Sequence, residues 1–202
     1  MCDIVSDMLP GTDGHAILTL ENPATGETYG LLARASDSGG ELLRLRWTAA
    51  PGAAVGEHVH PHQEESFAVT AGVLTVAVDG VRTEHAAGAT VTVPAGQRHL
   101  FANRGPVPVA ATLELRPALR MEEVFESLAG MARDGRVRRG GLPRNPLLLA
   151  VFAHEFRNEI RGARPPAAVQ RLLLPALARL GRARGYRAHP PEYRAAVAGR
   201  RG

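Results

Sequence analysis

Between about His15 and Arg116, short runs of alternating apolar and polar residues recur, broken by Gly, Pro, Asn and Asp. In Leu74–Val78, the side chains of Leu74, Val76 and Val78 share one face, while Thr75 and Ala77 share the other, the two-residue period of a strand. The same pattern predicts ten strands: His15–Glu21, Thr28–Arg34, Glu41–Thr48, Gly56–His60, Ser66–Thr70, Val73–Val78, Val81–Glu84, Thr90–Val93, His99–Ala102 and Val107–Leu115. Asp79-Gly80, between Val78 and Val81, predicts a two-residue hairpin turn, because Gly tolerates the positive φ such turns need. Ten short strands with frequent turns predict a β sandwich or barrel.

After Pro117 the period changes. Met121, Val124, Phe125, Leu128 and Met131 recur at three- and four-residue steps and define one apolar helix face. A basic, Gly-containing linker follows over Arg136–Arg144. Asn145-Pro146 then has the form of a helix cap followed by Pro at the first helical position. Helical periodicity runs from Leu147 to Ile160 through Leu148, Phe152 and Phe156. A third helix is expected from Pro165-Pro166, presenting Val169, Leu172, Leu173, Leu177 and Leu180, with Pro175 expected to interrupt it by removing a backbone donor. The reading is therefore an N-terminal arm over 1–14, a β-barrel over 15–117, a helical extension over 118–187 and a flexible basic tail over 188–202.

Charge divides the chain in the same place. Residues 1–119 carry 7 Arg against 13 acids, a balance of −6, and residues from Arg120 onward carry 17 Arg against 7 acids, a balance of +10. There is no Lys. A basic extension can mark nucleic-acid binding, but neither a nucleic-acid motif nor a stripe of stacking aromatics accompanies the charge, and Arg in place of Lys beside abundant Ala, Gly and Pro fits GC-rich coding. Nucleic acid is not expected as a partner. The single cysteine, Cys2, rules out an intrachain disulfide. The acidic start and the shortness of the longest apolar run, Leu147 to Phe152, predict no signal peptide, no membrane span and a cytoplasmic location.

The candidate chemistry is concentrated in two stretches. In the first, His58 and His60 are two apart on a predicted strand and so project into one space, a chelating pair for a borderline metal. Glu65 precedes another alternating strand that would bring its carboxylate beside them. In the second, Pro94-Ala-Gly96 makes a tight turn and His99 opens the next strand.

These stretches resemble the paired motifs of the cupin superfamily. Gly52, His58, His60, Glu65 and Gly72 fill the first motif; Gly88, Pro94, Gly96, His99 and Asn103 fill the second, with fifteen residues between Gly72 and Gly88 as in single-domain bacterial cupins. The resemblance implies a mainly β fold, a double-stranded β-helix (jelly-roll) barrel, here with a C-terminal α-helical extension. It also implies that His58, His60, Glu65 and His99 bind one divalent metal ion, for which Fe, Mn, Ni, Co and Zn are all compatible with the donors. Glu64 is the alternative carboxylate, but the six-residue gap to Gly72 favours Glu65. His62 is in step with His58 and His60, yet it follows Pro61 at a position the family does not use as a ligand. It is expected at the rim, with acid–base work near the metal open to it. Gln97 and Arg98, beside His99 at the barrel mouth, are candidates to touch substrate, Gln97 being carried with His62 as a catalytic candidate. Arg44 and Arg46 are expected on a solvated sheet face, with a substrate anion as the alternative; Asn103 is expected to hydrogen-bond within a turn.

Two functional classes follow. The first is a metal-dependent enzyme on a small organic substrate, an oxidoreductase of the dioxygenase type or, alternatively, a Lewis-acid cyclase or isomerase acting on a carbonyl or polyketide-like substrate. The second is a binding or sensory cupin; no helix-turn-helix pair with a basic recognition helix is evident in 120–202. A homodimer is the family-based expectation.

Overall fold

The computed structural model describes residues 16–194. The expected arm over 1–14, His15 and the last residues of the expected tail lie outside the described residues. All ten predicted strands have a counterpart: β1 (Leu18–Asn22), β2 (Glu27–Ala33), β3 (Leu43–Ala49), β4 (Ala54–Val59), β5 (Glu64–Ala71), β6 (Val73–Val78), β7 (Val81–Ala86), β8 (Thr90–Val93), β9 (Arg98–Ala102) and β10 (Val109–Arg116). An eleventh, β11 (Arg161–Gly162), comes from within the helical region. They form two antiparallel sheets, one ordered β1-β2-β3-β10-β5-β8 and the other β11-β4-β9-β6-β7. Successive strands from β7 to β10 alternate between the sheets, the path of a jelly-roll barrel.

Alternation explains which face is inside. On β3, Leu43, Leu45, Trp47 and Ala49 are buried, whereas Arg44 pairs across the outer face with Glu114 of β10 at 2.7 Å. Trp47 packs edge-on against Phe67 and Phe101, at centroid distances of 5.3 and 5.4 Å. The Asp79-Gly80 turn joins β6 to β7 with φ of 47° and 87°, a pair that a left-handed turn requires and that Gly adopts freely. Asn103 holds the turn after β9, its Nδ2 donating to the carbonyls of Ala49 and Val107 at 2.9 and 2.8 Å and its Oδ1 accepting from the Gly105 amide.

Three helices follow, α1 (Met121–Arg133), α2 (Pro146–Glu155) and α3 (Ala167–Ala183). Gln63, fully buried, fastens the passage from β10 to α1 by donating to the carbonyls of Pro117 and Ala118, both at 2.9 Å. Met121, Val124, Phe125 and Met131 of α1 are buried, as their spacing predicts, and they join the barrel interior in one continuous core. Asn145 caps α2, its Oδ1 accepting from the amides of Leu147 and Leu148. At Gly181, α3 approaches α2 so closely that a methyl group would stand 2.9 Å from the Leu147 carbonyl. Arg120 ties the bundle together, bridging Glu123 and Glu155, while Arg182 reaches Glu155 from α3.

The helical region departs from the sequence-based expectation in three ways. First, the second helix stops at Glu155 instead of running to Ile160. Buried Phe156 closes it, and the chain then turns to place β11 on the open edge of β4, where pairing satisfies backbone groups of both segments. Second, Pro175 does not interrupt α3. The residues around it, Arg171 to Leu173 and Pro175 itself, are exposed. Third, of the segment expected as a flexible tail, residues 188–194 pack on α1: Ala188 and Tyr193 are buried, the Tyr193 hydroxyl donates to Asp134 Oδ2 at 2.7 Å, and His189 meets Glu126 at 2.8 Å. Among the described residues, no helix is long and apolar enough to cross a membrane.

Candidate metal centre

His58, at the end of β4, His60 just beyond it, Glu65 on β5 and His99 on β9 converge inside the barrel. One ligand atom from each lies within 4.8 Å of the others, and all four residues are buried. The β4–β9 pairing sets His58 directly opposite His99, and Glu65 arrives from the facing sheet. The adjacent Glu64 is exposed, as opposite strand faces require.

Backbone carbonyls aim the three imidazoles. The Nδ1 of His58 donates to Gly56 at 2.9 Å, that of His99 to Gln97 at 3.0 Å and that of His60 to Glu159 at 2.6 Å. Because a carbonyl only accepts, each contact places the proton on Nδ1 and turns Nε2 toward the cluster, the arrangement metal-ligating histidines use. The His60 contact is the distant one: Glu159 lies 99 residues along the chain, between α2 and β11. Pairing of Arg161 with Val59 and of Gly162 with His58 lays β11 beside the ligand strand.

The electrostatics suit a cation. Burial, reinforced by the neighbouring His60 and His99, pushes His58 down to about 3, so its imidazole is neutral. Burial alone would raise Glu65, but the adjacent His60 and His99, the latter hydrogen-bonded to it at 3.0 Å, outweigh it and hold the carboxyl well below the usual range. His99 is raised: burial opposes its charged form, but the 3.0 Å contact of its Nε2 with Glu65 prevails. His60 Nε2 is buried with no hydrogen-bond partner and stands 3.6 Å from Glu65 Oε1. Two donors that each sit ~2.1 Å from one ion are at most ~4.2 Å apart, so a small contraction closes the four atoms on a single ion. Three imidazoles, among them a neutral His58 and a His60 with an orphaned, inward-facing Nε2, together with one ionised carboxylate fit a divalent metal.

The cluster opens into a cavity of about 430 Å³. Phe101 and Leu113 line it from the barrel, and Met121, Phe125, Phe152 and Leu177 line it from the three helices. The helical region thus supplies most of the cavity wall. Of the other sequence candidates, His62 is exposed and is not among the lining residues; β4 ends at Val59, so the strand parity that aligned His62 with His58 no longer applies. Gln97 is half-buried and presents its backbone carbonyl to His99. Arg98 is exposed beside Glu57 and Asp79, and Arg46 lies on the exposed face of β3. Two cavity residues were not singled out from the sequence, Glu27 and Tyr29 of β2; both are buried on the inner face. Their two-residue spacing in step with Leu31 was the available signal.

The fold and the cluster define a cupin: a family model described as the cupin domain matches residues 45–114, and the chain belongs to the cupin superfamily. Protein SchB of Streptomyces halstedii is 32% identical over 116 residues, covering 57% of this chain and 73% of SchB. The tetracenomycin polyketide synthase protein TcmJ of Streptomyces glaucescens is 35% identical over 68 residues, 34% of this chain and 46% of TcmJ. Among solved structures, an RmlC-like cupin from Shewanella frigidimarina is 25% identical with a TM-score of 0.44, over 51% of this chain and 86% of that one.

Proposed function

We propose that this chain is a metal-dependent cupin enzyme that cyclises or isomerises a small polyketide-like carbonyl compound, with His58, His60, Glu65 and His99 as the ligands of one divalent ion. The observation that carries the reading is the convergence of these four buried side chains, of which His58, His60 and Glu65 line a largely apolar cavity. The likeness to a polyketide synthase protein supports a carbonyl-rich substrate. A divalent ion at this point supplies a Lewis acid that polarises a carbonyl and stabilises an enolate.

The protein's own residues do the rest. The backbone carbonyls of Gly56, Gln97 and Glu159 hold the three imidazoles in one tautomer and orientation. Glu65 contributes a negative charge that lowers the net charge of a loaded site. Phe101, Phe125 and Phe152 exclude water and bind flat apolar surface, so that polar interactions at the cluster operate at low dielectric. Dioxygenation is the second reading, because the same donors also suit Fe(II).

The test uses protein purified without a His-tag. Metal content is measured first; the loaded protein is then given a linear β-polyketone while product and dissolved oxygen are followed together. Formation of a cyclised or tautomerised product without oxygen loss is expected. Stoichiometric oxygen uptake would replace this reading with dioxygenation, and metal-loaded protein that turned over nothing from a carbonyl and phenol panel would favour a binding role.

A further inference from the structure

Away from the metal cluster, a compact polar group interrupts the apolar cavity wall. Glu27 and Tyr29 sit two apart on β2 and line the cavity while only 3% and 5% exposed. Trp47 Nε1 donates to Glu27 Oε1 at 2.9 Å, and the Tyr29 hydroxyl and Thr25 also hydrogen-bond to the Glu27 carboxyl. From α1, Phe125 packs on the Tyr29 ring at 4.6 Å between centroids, so helix and barrel close together over this spot.

Its chemistry exceeds a structural need. An indole N–H is satisfied by any neutral acceptor, whereas a buried carboxyl carries a large desolvation cost. That burial pushes Glu27 up from its usual value, and burial followed by the nearby Glu27 raises Tyr29 as well. A carboxyl and a phenol side by side offer both donor and acceptor to a ligand. In the sheet order, β3 and β10 lie between β2 and the β5 strand that carries Glu65. The barrel curls these strands around one cavity, and the Glu65 charge acts on both Glu27 and Tyr29, so the two polar regions lie within reach of a single ligand.

We propose that Glu27 and Tyr29 form a hydrogen-bonding subsite that grips a hydroxyl group of an extended aromatic ligand whose opposite, oxygen-bearing end lies at the four-residue cluster. The cluster end of this assignment rests on the function proposed above; the Glu27–Tyr29 end does not. The ring system follows from the walls, since Phe101, Phe125 and Phe152 line the same cavity with flat apolar surface. A ligand with a hydroxyl is selected over its ether because only the hydroxyl can donate to the acceptor capacity that Trp47, Thr25 and Tyr29 leave on the Glu27 carboxyl.

The experiment is calorimetric titration of the full chain, metal-loaded and after chelation, with β-naphthol and with its methyl ether. Wild type is expected to favour the naphthol by about tenfold in both metal states. Glu27→Gln and Tyr29→Phe should each erase that preference while leaving metal stoichiometry and affinity for the ether unchanged. Tyr29→Phe, which removes a single oxygen, carries the test if Glu27→Gln lowers the unfolding temperature. Equal affinity for naphthol and ether in wild type, a preference that survives both substitutions, or no binding of either probe would overturn the proposal. Wild-type protein that takes up no metal yet keeps the preference would sink the metal reading and leave this subsite standing.

Discussion

The barrel and the helical region solve the problem of burial differently. In the barrel, every inner position of β3 and β10 is nearly inaccessible, and Leu43, Val109 and Leu115 are fully buried. In α3, by contrast, Leu172 is 77% exposed, Leu173 49% and Leu180 44%, and Gln170, Ala178 and Gly181 are its buried residues. The barrel is organised around a core that α1 and α2 share, whereas α3 is organised around the cavity and the bundle's ion pairs. Yet the site depends on both. The barrel supplies the four candidate ligands; the helical region supplies the carbonyl that orients His60, the strand beside His58 and most of the cavity wall. An appended segment can therefore complete a site whose motif lies wholly outside it.

The largest effects should come from the barrel side of this comparison. Changing His58, His60 or His99 to Ala is expected to abolish tight metal uptake, a loss beyond the 10–100-fold typical of an orienting partner. His62→Ala should leave stoichiometry near normal; elemental analysis after gel filtration reads both. Truncating the barrel core with Phe67→Ala should cost about 3–5 kcal/mol by chemical denaturation, because Phe67 is fully buried between Trp47 and Phe101.

On the helical side, Ala163→Pro removes the amide that donates to Glu57 at 3.2 Å beside β11. It should loosen β11 from β4, release the Glu159 carbonyl from His60 and weaken metal binding by about tenfold, as read by competition with a chelator. Unchanged affinity in a folded variant would make the helical region a bystander to the site. Smaller still, Asn145→Ala should cost about 1 kcal/mol through loss of the α2 cap, and Leu172→Ala should stay within about 0.5 kcal/mol because its side chain stands in solvent.

The same division marks what the sequence reveals. Strand alternation located all ten barrel strands, and the two motifs named the four residues that converge, because strand parity and turn geometry are local. His62 shows the limit of parity, which fails where β4 ends at Val59. The His60–Glu159 contact spans 99 residues, and no local pattern encodes it. The two-residue β11 is too short to carry a period, and Phe156 ends α2 through tertiary packing that outweighs helical periodicity. Glu27 and Tyr29 were legible in principle, since their register with Leu31 puts them indoors; a buried Glu in an apolar strand is itself a signal.

The central claim is tested most directly by X-ray absorption spectroscopy on untagged protein reconstituted with one transition-metal ion. The account predicts one ion per chain with three imidazole nitrogens and a carboxylate oxygen at about 2.0–2.2 Å, and loss of that bound ion in His60→Ala. A shell with fewer than two imidazoles, or one unchanged by that substitution, would contradict it.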